Sequence, residues 1–149
     1  MANQQPDATE ITERLYLGSL SAARDRDALE RLGITAIVCV AAEGRPYFPE
    51  TLRYLELQRP PVEHTCGIQD LIVELDRIEQ FVMTQWRQKK CRVLVHCVHG
   101  RTRSAAVVTY LLAKHGSNSI AEAYAFVAAK RDVFVPEEWL AALQAKMDV

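Results

Sequence analysis

The stretch VHCVHGRTRS, residues 95–104, holds four residues whose types and spacing could do chemistry: His96, Cys97, Arg103 and Ser104. A cysteine acts as a nucleophile through its thiolate. A free thiol titrates near ~8.5 but falls well below neutrality at a helix N-terminus beside a cation. Arg103 offers a planar fork of donors matched to two oxygens of a phosphate. Ser104 can donate its hydroxyl to the sulfur and hold it anionic as a leaving group. Between them lie Val98, His99, Gly100, Arg101 and Thr102, whose backbone N–H groups would converge on an anion if the segment is a tight loop. Gly100 permits a positive φ or a close backbone approach there. His96, just behind the cysteine, would orient the loop. Together these residues imply covalent phosphoryl transfer. Cys97 attacks phosphorus, Arg103 and the amides stabilise the equatorial oxygens, and water then releases phosphate. No metal or cofactor is needed, because the loop supplies the positive field.

The flanking sequence must position this loop. KKCRVLVH reads as a buried strand over about 91–96, and RSAAVVTYLLAKHG as a helix ending on Lys114, His115 and Gly116. RLYLGS reads as a short strand and turn. SAARDRDALERLG reads as one helix stopped by Gly33. ITAIVCVA, 34–41, is an apolar, β-branched run of the kind buried on both sheet faces, and Cys39 within it reads as core filler. LRYLELQ, 52–58, alternates with period two and reads as a strand, and 59–67 reads as a loop. Leu71, Leu75, Ile78 and Val82 predict one long helix from Asp70 to about Lys89, with Trp86 packing on it. Ser119 and Glu122 have capping-box spacing before a further helix. Pro136 opens a last one, on which Trp139 packs. The alternation predicts an α/β fold: a central, mainly parallel, twisted sheet of about four to five strands flanked by helices. Residues 1–9 read as a flexible tail and 10–149 as one catalytic domain.

Composition narrows the partners. The chain has 149 residues, net charge −1, 49% hydrophobic and 25% charged residues, so it is not a general binder of nucleic acid or anionic membranes. No apolar run approaches the ~18 residues of a membrane span, and MANQQPDATE lacks the apolar core of a signal peptide. A cytoplasmic monomer is expected, with the nucleus as an alternative. Cys39, Cys66, Cys91 and Cys97 have no zinc-ligand spacing, so no metal site is expected.

The motif resembles the H-C-x5-R-[ST] signature of the cysteine-dependent protein phosphatases. ITERLYLGSLSAARDRDALERLGITAIVCVA is similar to the start of their dual-specificity branch, and RDVFVPEEWLAAL is similar to its closing helix. The resemblance covers about residues 11–143. It implies a small, single-domain, cysteine-phosphatase-like fold acting on phosphorylated proteins, both phosphotyrosine and phosphoserine/threonine. It also implies an aspartate general acid on the loop before the long helix. Here that loop reads RPPVEHTCGIQD, and no aspartate stands at the matching place. Glu63, His64 and Asp70 are the candidate acids, with Asp70 also suited to capping the helix, and absence of any acid is the fourth option. A phenolate leaves with little help whereas an alkoxide needs a proton, so a bias towards aryl phosphates is expected.

Three other readings stay open. His99 and Arg101 would suit a non-protein substrate, a phosphoinositide or an RNA 5′ phosphate; HCVHG is similar to the H-C-x-H-G of RNA 5′-phosphatases, although T-R-S-A replaces their N-R-T-G. A weakly active, phosphate-binding pseudophosphatase is a second. Sulfur transfer of the rhodanese type, which also uses a cysteine loop on an α/β sheet, is a third. Cys66, in the acid loop, is a candidate resolving thiol for Cys97 under oxidation, or an unpaired loop thiol.

Overall fold

The computed structural model describes residues 7–41, 44–57, 67–88, 90–116 and 118–149. Twelve elements are described: β1 (Ala8–Thr12), β2 (Leu15–Gly18), α1 (Leu20–Ala23), α2 (Arg26–Leu32), β3 (Ala36–Cys39), β4 (Arg53–Glu56), α3 (Ile68–Ile72), α4 (Leu75–Trp86), β5 (Val93–His96), α5 (Arg103–Gly116), α6 (Ile120–Lys130) and α7 (Glu137–Met147). The strands form one sheet in the order β1-β2-β5-β3-β4. β2, β5, β3 and β4 run parallel, and β1 pairs antiparallel to β2. The expected α/β architecture is therefore observed.

Period two explains the layering. Leu15, Leu17, Val38, Val93 and Val95 face one side of the sheet, in the core shared with Val107, Tyr110 and Leu111 of α5. Tyr16, Ile37 and Leu94, the alternating residues, face the other side with Leu29 of α2. β2, β3 and β5 are buried at every position because helices cover both faces. Edge strand β4 has only Leu55 buried. Among the described residues no helix is long and apolar enough to cross a membrane.

Four expectations about local structure need correction. Residues 8 and 9, read as tail, belong to β1, an edge strand that pairs with β2 from Ala8↔Gly18 onward. The helix read over SAARDRDALERLG is two helices, because two residues compete to cap. Ser19 accepts from the Ala22 N–H and Asp25 from the Ala28 N–H, so the chain restarts at Asp25. Gly33 ends α2 in the left-handed region, as expected.

The helix expected from Asp70 to Lys89 starts earlier, at Ile68, and is split at Val73–Glu74. There the Glu74 N–H bonds Leu71 O, one residue tighter than the preceding Val73 N–H to Gln69 O. Asp70 lies inside α3, and the N-cap is Gly67 without a side-chain cap, so Asp70 does not cap the helix. At its far end α4 stops at Trp86. Arg14 collects the carbonyls of Trp86 and Gln88, each at 2.7 Å, and so satisfies a helix end from another element. The predicted capping box is present: Ser119 accepts from the Glu122 N–H, and Glu122 from the Ser119 N–H.

Candidate active site

β5 lies between β2 and β3, so its carboxyl end opens at the middle of the sheet, where ligands bind in open α/β folds. Cys97 follows directly. Residues 98–102 form the turn into α5, whose first residues are Arg103 and Ser104. Gly100 has φ +65°, and a Cβ there would sit 2.5 Å from the carbonyl oxygen of Gly18. Conformation and space therefore both demand glycine.

Every carbonyl from Cys97 to Thr102 is drawn away from the loop interior. Cys97 O accepts from His96 Nδ1 at 3.3 Å. Val98 O accepts from the Leu20 N–H at 3.0 Å, Arg101 O from the Phe134 N–H at 2.9 Å, and Thr102 O from the Ala106 N–H at 2.8 Å. Arg131 takes the two between: Nε donates to Gly100 O at 2.7 Å and Nη2 to His99 O at 3.0 Å. With the carbonyls turned outward, the N–H groups of the same loop are left to converge inward as an anion-binding nest.

The cysteine responds to this field. Its Sγ lies 3.0 Å from Ser104 Oγ, and both residues are buried. Burial pushes the thiol pKa up. The Ser104 hydroxyl and the backbone N–H groups of Ser104, Arg101 and Gly100 outweigh it, and the net shift is downward. Such a pocket can hold a thiolate and, over it, a tetrahedral oxyanion.

The other residues singled out in sequence divide by position. Arg103 is half-buried at the first position of α5, and its side chain makes no hydrogen bond or ion pair with another described residue. His99 and Arg101 are exposed. The Thr102 hydroxyl turns out of the loop and donates to Phe134 O at 2.8 Å, so only its backbone remains available to an anion. Glu63, His64 and Cys66 lie outside the described residues.

His96 is 1% exposed, and burial depresses its pKa to about 4, so the ring is neutral at physiological pH and Nδ1–H is the donor to Cys97 O. The unfolded chain, with an ordinary value of 6.5, binds this proton more readily than the folded one. Stability should therefore fall as pH drops from 6.5 to 4, by up to about 3 kcal/mol from this residue alone. Urea unfolding of wild type and His96→Asn between pH 4 and 7 measures it. The variant should lose this part of the slope, and parallel curves would contradict the assignment.

Arg131 was not singled out in sequence. It stands directly after α6, 31 and 32 positions from the carbonyls it holds, in the RDVFVP segment quoted above only for its resemblance. Leu20 and Phe134 act through backbone N–H groups and leave no side-chain signature.

Residues 15–147 match the family described as "Dual specificity phosphatase, catalytic domain". The chain is 36% identical over 127 residues to Dual specificity protein phosphatase 1 of Arabidopsis thaliana, covering 85% of this chain and 61% of that protein. It is 35% identical over 111 residues to Dual specificity protein phosphatase 1B of the same plant, covering 74% and 64%. It thus spans under two thirds of the length of these relatives. A mouse putative dual specificity phosphatase, solved as a complex with zinc tungstate, superposes with a TM-score of 0.84 at 26% identity, over 99% of this chain and 89% of that one. The matched span, 15–147, includes the cysteine loop and α5, and the chain belongs to the dual specificity phosphatase catalytic-domain family.

Proposed function

We propose that this chain is a protein phosphatase that hydrolyses phosphotyrosine and phosphoserine/threonine through a thiophosphate on Cys97, with a bias towards aryl phosphates. The observation that carries it is the convergence of the Ser104 hydroxyl and the N–H groups of Gly100, Arg101 and Ser104 on the Cys97 sulfur.

The thiolate attacks phosphorus, forming the S–P bond as the P–O bond to the side chain breaks. The leaving oxygen takes a proton from a general acid or from water. Arg103 and the loop amides of residues 98–103 spread the charge of the three equatorial oxygens. Water then attacks phosphorus, the S–P bond breaks, and the Ser104 hydroxyl donates to the returning thiolate. Phosphate leaves and Cys97 is ready again.

The aryl bias rests on the acid loop. Glu63, His64 and Asp70 are the candidate acids, and no aspartate stands at the place the family pattern gives it. Matched phosphotyrosine and phosphothreonine peptides, assayed for phosphate release with chelator present, test this. Turnover of the phosphotyrosine peptide should exceed the other by about 10²-fold or more, the low end of what a missing acid costs an alkoxide. Equal turnover with an ordinary acid limb would count against the bias.

A second reading is favoured by the exposure of His99 and Arg101 beside the loop, which suits a substrate with several phosphates. An inositol phosphate and a 5′-triphosphorylated RNA belong in the same assay, and faster turnover of either than of both peptides would replace the protein substrate.

A further inference from the structure

We infer that Asp7, ahead of the first strand, is a positioning residue for the Cys97 thiolate, acting through Arg131. This rests on the reading of Cys97 as nucleophile. Arg131 is only 10% exposed and uses opposite sides of its guanidinium for different tasks. Nε and Nη2 hold the carbonyls of Gly100 and His99. Nη1 is shared between the Asp7 carboxylate, at 3.0 Å, and the Thr9 hydroxyl, at 3.1 Å. The plane that turns two loop carbonyls outward is therefore fixed from behind by residues 7 and 9.

Asp7 is itself fixed. Its carbonyl accepts from the Ser19 N–H at 3.0 Å, and its carboxylate accepts from the Ser19 hydroxyl as well as from Arg131. Gly18 leaves it room: a Cβ there would lie 2.7 Å from Asp7 O. The same Gly18 carbonyl lies against Gly100. Asp7, Gly18 and the loop thus form one stack of close backbone approaches. Burial raises the pKa of the Asp7 carboxylate; the titratable groups facing it, Arg131 and His99, together with the Ser19 hydroxyl, lower it by more, to a net value below the ordinary one. It is anionic wherever the enzyme would work.

Two effects of removing this charge have opposite signs, which makes the inference decidable. Through space alone, losing a carboxylate near the loop would favour the thiolate and lower the Cys97 pKa. Through position, losing the anchor lets Arg131 swing, the His99 and Gly100 carbonyls relax inward, and the amides on sulfur weaken, which raises it. Asp7 is 51% exposed, so its direct field is screened by solvent, whereas the amides touch the sulfur. Position should win.

The experiment follows alkylation of Cys97 by iodoacetamide across pH 4 to 8 in the full chain. Peptide mass spectrometry separates Cys97 from the other thiols, and Tm is recorded alongside. In Asp7→Asn the titration should move up by about half a pKa unit, so that the rate at acid pH falls about threefold. The acid limb of phosphate release should move the same way, and Asp7→Glu should restore both. A curve for Asp7→Asn that coincides with wild type, whatever its Tm, would overturn the inference, as would a shift to lower pH. If wild-type Cys97 alkylates like an ordinary thiol, the nucleophile reading and this inference fall together. A low wild-type pKa unmoved by Asp7→Asn removes this inference alone.

Discussion

Cys97→Ser should reduce phosphate release by more than about 10⁴-fold while the folded protein still binds a tetrahedral oxyanion. The loop is built to make a thiolate, not an alkoxide. Its donors lower the pKa of a thiol that starts near ~8.5 and so favour the anionic nucleophile before substrate arrives. A serine hydroxyl in the same nest stays neutral. His96, the histidine behind it, is committed through Nδ1 to Cys97 O rather than to the side chain, so it offers no base. The amides do not depend on residue 97's side chain, and binding of inorganic tungstate by calorimetry should survive. Retention of more than about one part in a hundred of the activity would show that another group attacks phosphorus.

Arg103→Lys should lower kcat/KM by about 10²- to 10³-fold, the range found when one donor to a developing oxyanion is removed. The substitution keeps the charge and removes the fork. A lysine presents a compact ammonium that can approach one equatorial oxygen, whereas a guanidinium spans two and keeps both as phosphorus becomes trigonal. Most of the loss should appear in kcat, because the interaction strengthens as the equatorial oxygens spread. A change confined to KM would make Arg103 an ordinary charge contact. Because the Arg103 side chain makes no hydrogen bond or ion pair with a described residue, the variant should also unfold within about 0.5 kcal/mol of wild type. That separates a catalytic loss from a folding one.

Much of this site could be read from residues 91–104. A β-branched apolar run, a cysteine, a short loop with one glycine and a helix signal are local features, and each carries its geometry within a few positions. β3 and the Ser119–Glu122 capping box were legible for the same reason. β1 was not, because ATEIT is mostly polar and becomes a strand by pairing with β2, with Tyr16 donating its hydroxyl to Glu10. The split between α3 and α4 left the apolar spacing intact and so left no mark in it. What turns the loop's carbonyls outward was also invisible, since the Arg131 guanidinium and the backbone of Leu20 and Phe134 reach it from distant segments. The general acid is a different case: the family pattern puts its aspartate at a place that falls on His64 counted from Pro61-Val62 and on Thr65 counted back from Asp70, with Glu63 one place early, so residue type and spacing do not single out one acid.

The most direct test of covalent cysteine chemistry is to quench the enzyme within its first turnovers on an aryl phosphate and weigh its peptides. One added phosphoryl group is expected on the peptide carrying Cys97. Ser104→Ala should accumulate it further, because breakdown loses its proton donor to sulfur. Steady turnover with no phosphoryl group on that peptide in either protein, or with the group on another residue, would contradict that chemistry.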